Sequence, residues 1–283
     1  MAPGQPVGER YDGLVGRYLD IAFPSQDNPL IGVAIDTHLP MSLQAMQTRV
    51  PAVDNIKQYR FKVKPTKDAA ARRAAFLVLH GEPAPDQPLY ERVRQMALDT
   101  FEGAERLQAA SASYVESPHI RYERSNPLAQ ALKQVTQIMA SDARTKILYV
   151  SLSSFDTHGT QLPKHAKLLT MLAEAIDVFD QDLQRLGLAD DVLIMTWSEF
   201  GRKVRENGNV GTGHGAAGPQ FVFGNAVHGG IFGEHPDLTH LSDVDDLHHR
   251  IDFRSYYATI LERWLEVDSH DVLGVTFEMI DFL

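Results

Sequence analysis

Two carboxylates and two imidazoles stand where the chain turns. Asp156 and His158 lie in Ser154-Phe155-Asp156-Thr157-His158-Gly159, Glu199 in Ser198-Glu199-Phe200-Gly201-Arg202, and His214 in Gly211-Thr212-Gly213-His214-Gly215. If these turns converge, the four side chains suit a divalent ion with mixed oxygen and nitrogen ligands, zinc, manganese or magnesium, with calcium also to be tested. An ion held there could polarise a phosphoryl or sulfuryl oxygen and draw the pKa of a bound water or hydroxyl towards neutrality, which is what a hydrolase requires. Arg202 offers a planar fork for a substrate anion, and a structural ion pair would use it equally well. No nucleophile is assigned.

Plainer readings stand beside these. Asp156-Thr157-His158 could form an Asx turn with a surface histidine. Glu199 could cap its turn or pair with Arg202. His214 is flanked by glycines, which allow close backbone approach to a ligand but also suit an ordinary mobile loop. His165 belongs to an apolar helical face, His248-His249 reads as solvated, and His119, His228, His235, His240 and His270 have no companions at ligand spacing.

The totals describe a folded globular chain. Over 283 residues, 43% are hydrophobic and 23% charged, which leads us to expect one domain spanning residues 1–283. The net charge of -10 with no basic run argues against a nucleic-acid partner, whereas a small anionic ester stays compatible because a metal reverses the local field. The absence of cysteine removes disulfides, thiolate ligands and thiol nucleophiles, so any metal is held by nitrogen and oxygen. Met1–Arg10 lacks the layout of a signal peptide, and no run approaches the roughly 18 apolar residues of a membrane span.

Around the reactive turns the pattern is that of an α/β protein. Lys146–Ser153 (KILYVSLS) and Asp191–Ser198 (DVLIMTWS) have strand character. Between them His165, Leu168, Leu172, Ile176, Phe179, Leu183 and Leu186 make one apolar helical face. Strand, helix, strand predicts a βαβ unit with parallel strands whose carboxyl ends carry the candidate ligands. Earlier, Tyr11–Phe23 has helical spacing, Leu30–Asp36 reads as a buried strand, and Asp54–Lys64 alternates like another. Residues 67–141 read as helical with breaks at Gly81–Pro88 and Ser117–Pro127, and Val93, Met96, Ala97, Phe101 and Ala104 recur as one apolar face. Gln220–Gly224 reads as a strand and Phe253–Leu265 as a helix capped by Asp252.

The segments FDTHGTQLPKHAKLL, MTWSEFGRKVRENGNVGTGHGAAGPQFVFG, AVHGGIFG, DFRSYYATILERWL and VLGVTFEMIDFL, with GLVGRYLD near the start, together resemble the bacterial family catalogued as domain of unknown function 1501. The resemblance spans nearly the whole chain. It implies the alkaline phosphatase and sulfatase superfamily: an α/β/α sandwich with a mostly parallel sheet, a two-metal centre, and Asp156, His158, Glu199 and His214 as metal ligands. It also implies export to the periplasm for many members, although this chain carries no such signal and its location stays open. Two departures stand out. Gly213 occupies a position where the family usually has Asp, removing an oxygen donor. The strand, Asp-containing turn and serine segment that open the family domain do not precede GLVGRYLD, which leads us to expect a chain lacking the nucleophile region. The apolar surface so exposed would be met by a rearranged sheet or by a homo-oligomer. The alternatives to an active hydrolase are a non-catalytic metal-binding remnant and an assembly module completed by another chain.

Overall fold

The computed structural model describes residues 12–25, 27–61, 68–83, 86–242, 244 and 246–283, so the readings made above for Met1–Arg10, Tyr11 and Lys67 lie outside the described residues. The chain forms two compact units. Of the described residues, one unit takes Leu152–Leu283 with Tyr122–Ala129, and the other takes those from Asp12 to Arg121 with Gln130–Ser151.

The second of these units holds the parallel strands. Strand β1 (Gly32–Ile35) is buried at every position and pairs in parallel with β2 (Ile147–Val150), in register from Gly32 opposite Ile147 to Ile35 opposite Val150. An unbroken apolar run buried on both faces is what a parallel strand needs. Helix α1 (Leu14–Ala22) packs Tyr18 and Leu19 into the same unit's core, and Asp20 at its far end accepts bonds from the backbone of Met46, Gln47 and Thr48. The helical section resolves into α2 (Ala69–Gly81), α3 (Pro88–Ser113) and α4 (Pro127–Met139), divided at the two expected breaks.

Three expectations are corrected here. Residues 54–61 form turns and no strand, because Asn55 draws the chain back on itself, its carbonyl accepting from Gln58 and Tyr59 and its side chain from Lys57; residues 62–64 lie outside the described residues. On α3, Phe101 and Ala104 are buried as expected, but Val93 and Met96 are exposed. The βαβ pairing of Lys146–Ser153 with Asp191–Ser198 does not form: β2 takes β1 as its partner, and β3 shrinks to Ile194–Met195 and pairs antiparallel with β6 (Val222–Phe223). Apolar runs announce a strand but leave its partner open, since register and neighbour are set by long-range packing. Here β3 and β6 are drawn onto helix α6 (Phe253–Arg263), where Tyr256, Ile260 and Phe282 gather Leu193, Met195 and Val222 around them. The Tyr256 hydroxyl donates to the carbonyls of Thr196 and Phe221, 3.1 Å each, tying the ends of both strands to the helix.

The chain is therefore a mixed α/β protein whose parallel sheet, among the described residues, has two strands. Helix α5 (Gln161–Leu186) presents the expected face, with Leu168, Phe179 and Leu183 buried. It stops at Gly187, whose φ of 69° suits glycine and lets Leu188 N bond back to Leu183 O. Asp182 on this face is fully buried, accepting from the Tyr122 hydroxyl and from Arg185, so its charge is paired as burial demands. At α6 the Asp252 carboxylate accepts from Arg254 N at 2.8 Å, the cap read from the sequence.

Candidate metal centre

All the candidate ligands belong to one unit, and a hairpin that the sequence did not announce positions them. The supposed glycine loop is strand β5 (Thr212–Gly215), antiparallel to β4 (Gly201–Glu206), with His214 directly opposite Arg202. Glycine alternation permits this. A Cβ on Gly215 would lie 2.6–2.9 Å from the Arg202–Lys203 backbone, so glycine lets the strands close together.

The hairpin turn in its turn grips the segment that carries Asp156 and His158. Asn207 Oδ1 accepts from the amides of Asn209 and Gly211, and Asn207 Nδ2 donates to the His158 carbonyl at 3.0 Å. Thr160 N and Gln161 N donate to the carbonyls of Asn209 and Val210, holding the start of α5 to the same turn. A Cβ on Gly211 would fall 2.4–2.6 Å from the backbone of His158 and Gly159, which excludes any side chain. Arg202 completes the clamp: Nη1 donates to Thr212 O at 2.7 Å and Nη2 donates to Phe155 O. Thr157 turns inward, buried, its hydroxyl 2.8 Å from His165 Nε2. The flanking Asp156 and His158 are thereby turned outward on the alternate side.

At the centre is one carboxylate oxygen. Asp156 Oδ1 lies 2.7 Å from His214 Nε2, 2.9 Å from His158 Nδ1 and 3.6 Å from Arg202 Nη2. The three ligand-type side chains have donor atoms within 4.8 Å of one another, and each is about half exposed. The His214 ring lies flat on Phe200, centroids 3.8 Å apart and planes 3° from parallel, and faces the His158 ring at 4.8 Å. The bond to His214 holds the Asp156 carboxyl below the usual carboxylate range, and the nearby charges of His158, His214 and Arg202 act in the same direction.

Of the five residues singled out by sequence, the structure brings Asp156, His158 and His214 together with Arg202 beside them. Glu199 is exposed in the bend ahead of β4 and outside the converging group. Arg202 has both terminal nitrogens engaged by backbone carbonyls, so it acts here as a positioning residue. Asn207, Phe200 and Thr157 were not anticipated. The Asn207-Gly208 pair a few residues before the Gly-Thr-Gly-His run is the hairpin signal that could have located the first of them.

One carboxylate and two imidazoles, about half exposed and with donor atoms within 4.8 Å of one another, are residue types that could hold a divalent cation such as zinc or manganese. Phe200 fixes one imidazole, and Arg202 and Asn207 fix the segment bearing the other two groups.

The sequence profile of the family described as protein of unknown function DUF1501 matches residues 11–274, and the chain belongs to that family. No curated protein and no solved structure matches it. Among the described residues, no helix is long and apolar enough to cross a membrane.

Proposed function

Proceeding from membership of the DUF1501 family, we propose that this chain is a metal-dependent hydrolase of phosphate or sulfate esters, with a divalent ion held by Asp156, His158 and His214. The convergence of those three side chains within 4.8 Å carries the reading. When bound, such an ion would supply Lewis-acid polarisation of an ester oxygen. The chain's own contribution is orientation: Phe200 keeps the His214 ring edge-on to Asp156, and the Arg202 and Asn207 bonds keep the Asp156–His158 segment in register with β5. The alkaline-phosphatase-like sandwich is part of the same proposal, with no nucleophile assigned, and rests on the likeness of the motifs alone.

One observation favours a second reading, a metal-binding chain without turnover: both terminal nitrogens of the Arg202 fork are taken up by backbone carbonyls, so this guanidinium is not offered to an ester anion. The two readings separate in one experiment. Purified protein loaded in turn with zinc, manganese, magnesium or calcium is offered aryl phosphate and aryl sulfate esters. Turnover that His214→Ala abolishes supports the hydrolase; metal bound by the wild type, lost in His214→Ala and without turnover in either, supports the second reading. Failure to bind any of the four ions rejects both.

A further inference from the structure

We propose that His165 is a positioning residue for the Asp156–His158–His214 cluster and acts through the hydroxyl of Thr157; the inference rests on the metal-binding reading of that cluster. Between β2 and α5, residues 151–157 form neither helix nor strand, so no backbone ladder fixes which way their side chains turn. Thr157 stands between two of the three proposed ligands and is 3% exposed. Its hydroxyl is 2.8 Å from Nε2 of His165, in the second turn of α5. The half-buried His165 ring also meets the Phe155 ring edge to face, centroids 5.7 Å apart, and its Nε2 is 3.5 Å from the Phe155 carbonyl. One imidazole thus engages the residues on both sides of Asp156. Either ring tautomer serves. With Nε2 bare, the hydroxyl donates to it; with Nε2 protonated, the ring donates to the hydroxyl, which can turn its own proton to the Phe155 carbonyl, 3.4 Å away.

Asp36-Thr37-His38 carries the same three residues in the same order, with its threonine exposed. There the Thr37 hydroxyl is 2.9 Å from His38 Nδ1 and 3.4 Å from Asp36 Oδ1, so the polar atoms of the turn are occupied with one another. At residues 156–158 the hydroxyl is drawn inward to His165 instead. Asp156 Oδ1 and His158 Nδ1 then face each other across 2.9 Å, with His214 Nε2 at 2.7 Å from the same oxygen. Withdrawal of the threonine is what leaves the acid and the imidazole free to turn to a common point. That point must be held closely, because a metal accepts departures of only about 0.2 Å in ligand distance. Residues that orient ligands accordingly contribute about 10–100-fold in affinity.

Zinc titration of the full chain by calorimetry tests this. Thr157→Val removes the hydroxyl at nearly constant shape, and His165→Phe keeps a ring against Phe155 but removes Nε2; each should weaken zinc binding by about 10–100-fold. Thr157→Ser, which keeps the hydroxyl, should restore most of the affinity. The double variant Thr157→Val/His165→Phe should bind no more weakly than the weaker single variant, because both delete one interaction. Loading with cobalt(II) gives a second readout: the visible ligand-field bands should shift in Thr157→Val and return in Thr157→Ser, which a loss of packing alone would not produce. If His165→Phe does not fold, the two Thr157 variants and their spectra decide. A wild type that binds zinc no more tightly than Thr157→Val overturns the positioning role and leaves the metal site standing. Losses that add in the double variant, or a Thr157→Ser no better than Thr157→Val, do the same. A wild type that binds neither zinc nor cobalt overturns this role together with the site it serves.

Discussion

The tripeptide Asp-Thr-His occurs twice in this chain, at residues 36–38 and 156–158, and the two copies have different fates. The first follows β1. Asp36 Oδ1 accepts from the Thr37 amide at 2.7 Å and Oδ2 from the Ser151 hydroxyl at 2.9 Å, while His38 Nδ1 faces its neighbour's hydroxyl, Thr37 Oγ1, at 2.9 Å. Each of the three side chains has a partner within the turn or at the adjoining strand end. In the second copy the carboxylate faces two imidazoles and an arginine. The same three residues therefore form an Asx turn in one place and join a carboxylate–imidazole cluster in the other. What differs is the company: the first copy is met by a serine at the end of β2, the second by the β4–β5 hairpin that carries His214 and Arg202. Residue types propose a site, and long-range partners decide it.

Removing a carboxylate from each copy should give the largest difference. Zinc titration by calorimetry should show binding abolished in Asp156→Ala and in His214→Ala, a loss beyond the roughly 10–100-fold that a supporting residue costs, and unaltered in Asp36→Ala. Binding that survives in Asp156→Ala but falls in Asp36→Ala would reverse the roles of the two copies.

Next in size is Arg202→Met, which keeps the stem and deletes both bonds to Phe155 O and Thr212 O. Zinc affinity should drop by about 10–100-fold through misplacement of Asp156, although Arg202 would touch no ion; higher affinity would mean that its charge merely competes with the cation.

Smaller again is the effect of filling the contact that joins the hairpin to the second copy. Gly211→Ala puts a methyl group against the His158–Gly159 backbone and should cost about 1–3 kcal/mol in denaturant unfolding. Gly208→Ala, where nothing lies within 4 Å, should stay within about 0.5 kcal/mol.

The smallest effect is electrostatic. Both carboxyls titrate below the ordinary value. For Asp36, burial pushes upward but is outweighed by the bonds from Ser151, His38 and Thr37; for Asp156, the His214 bond leads. A depressed folded-state pKa contributes stability above the unfolded value near 4, and that contribution is lost as pH falls through the folded value. Carbon-detected NMR titration of Ser151→Ala should move the Asp36 midpoint up towards 4, narrowing that window, and leave Asp156 in place.

Much of the fold could be read from the residues. The breaks around α2, α3 and α4, the apolar face of α5, the Asp252 cap and the buried character of β1 all follow from local patterns, and local patterns are what a sequence carries openly. Strand partners were not legible. Ile194–Met195 has the same apolar character as Ile147–Val150, and nothing local says that one will lie antiparallel under Tyr256 while the other lies parallel to β1. The exposure of Val93 and Met96 was hidden for a similar reason, since a helical face in a sequence does not say what will cover it. At the site, Asp156, His158 and His214 were picked out by type and by their place at turns, and the structure gathers them. Glu199 was grouped with them by assuming adjacent parallel strands; once β3 pairs with β6, that reason disappears.

The most direct test is anomalous diffraction at the zinc absorption edge from crystals of the full chain grown with zinc. The proposed centre requires a peak about 2.0–2.2 Å from an oxygen of Asp156 and from one nitrogen each of His158 and His214. A zinc peak elsewhere with none at these three residues, or no ordered zinc at all in crystals that leave the site open to solvent, would contradict it.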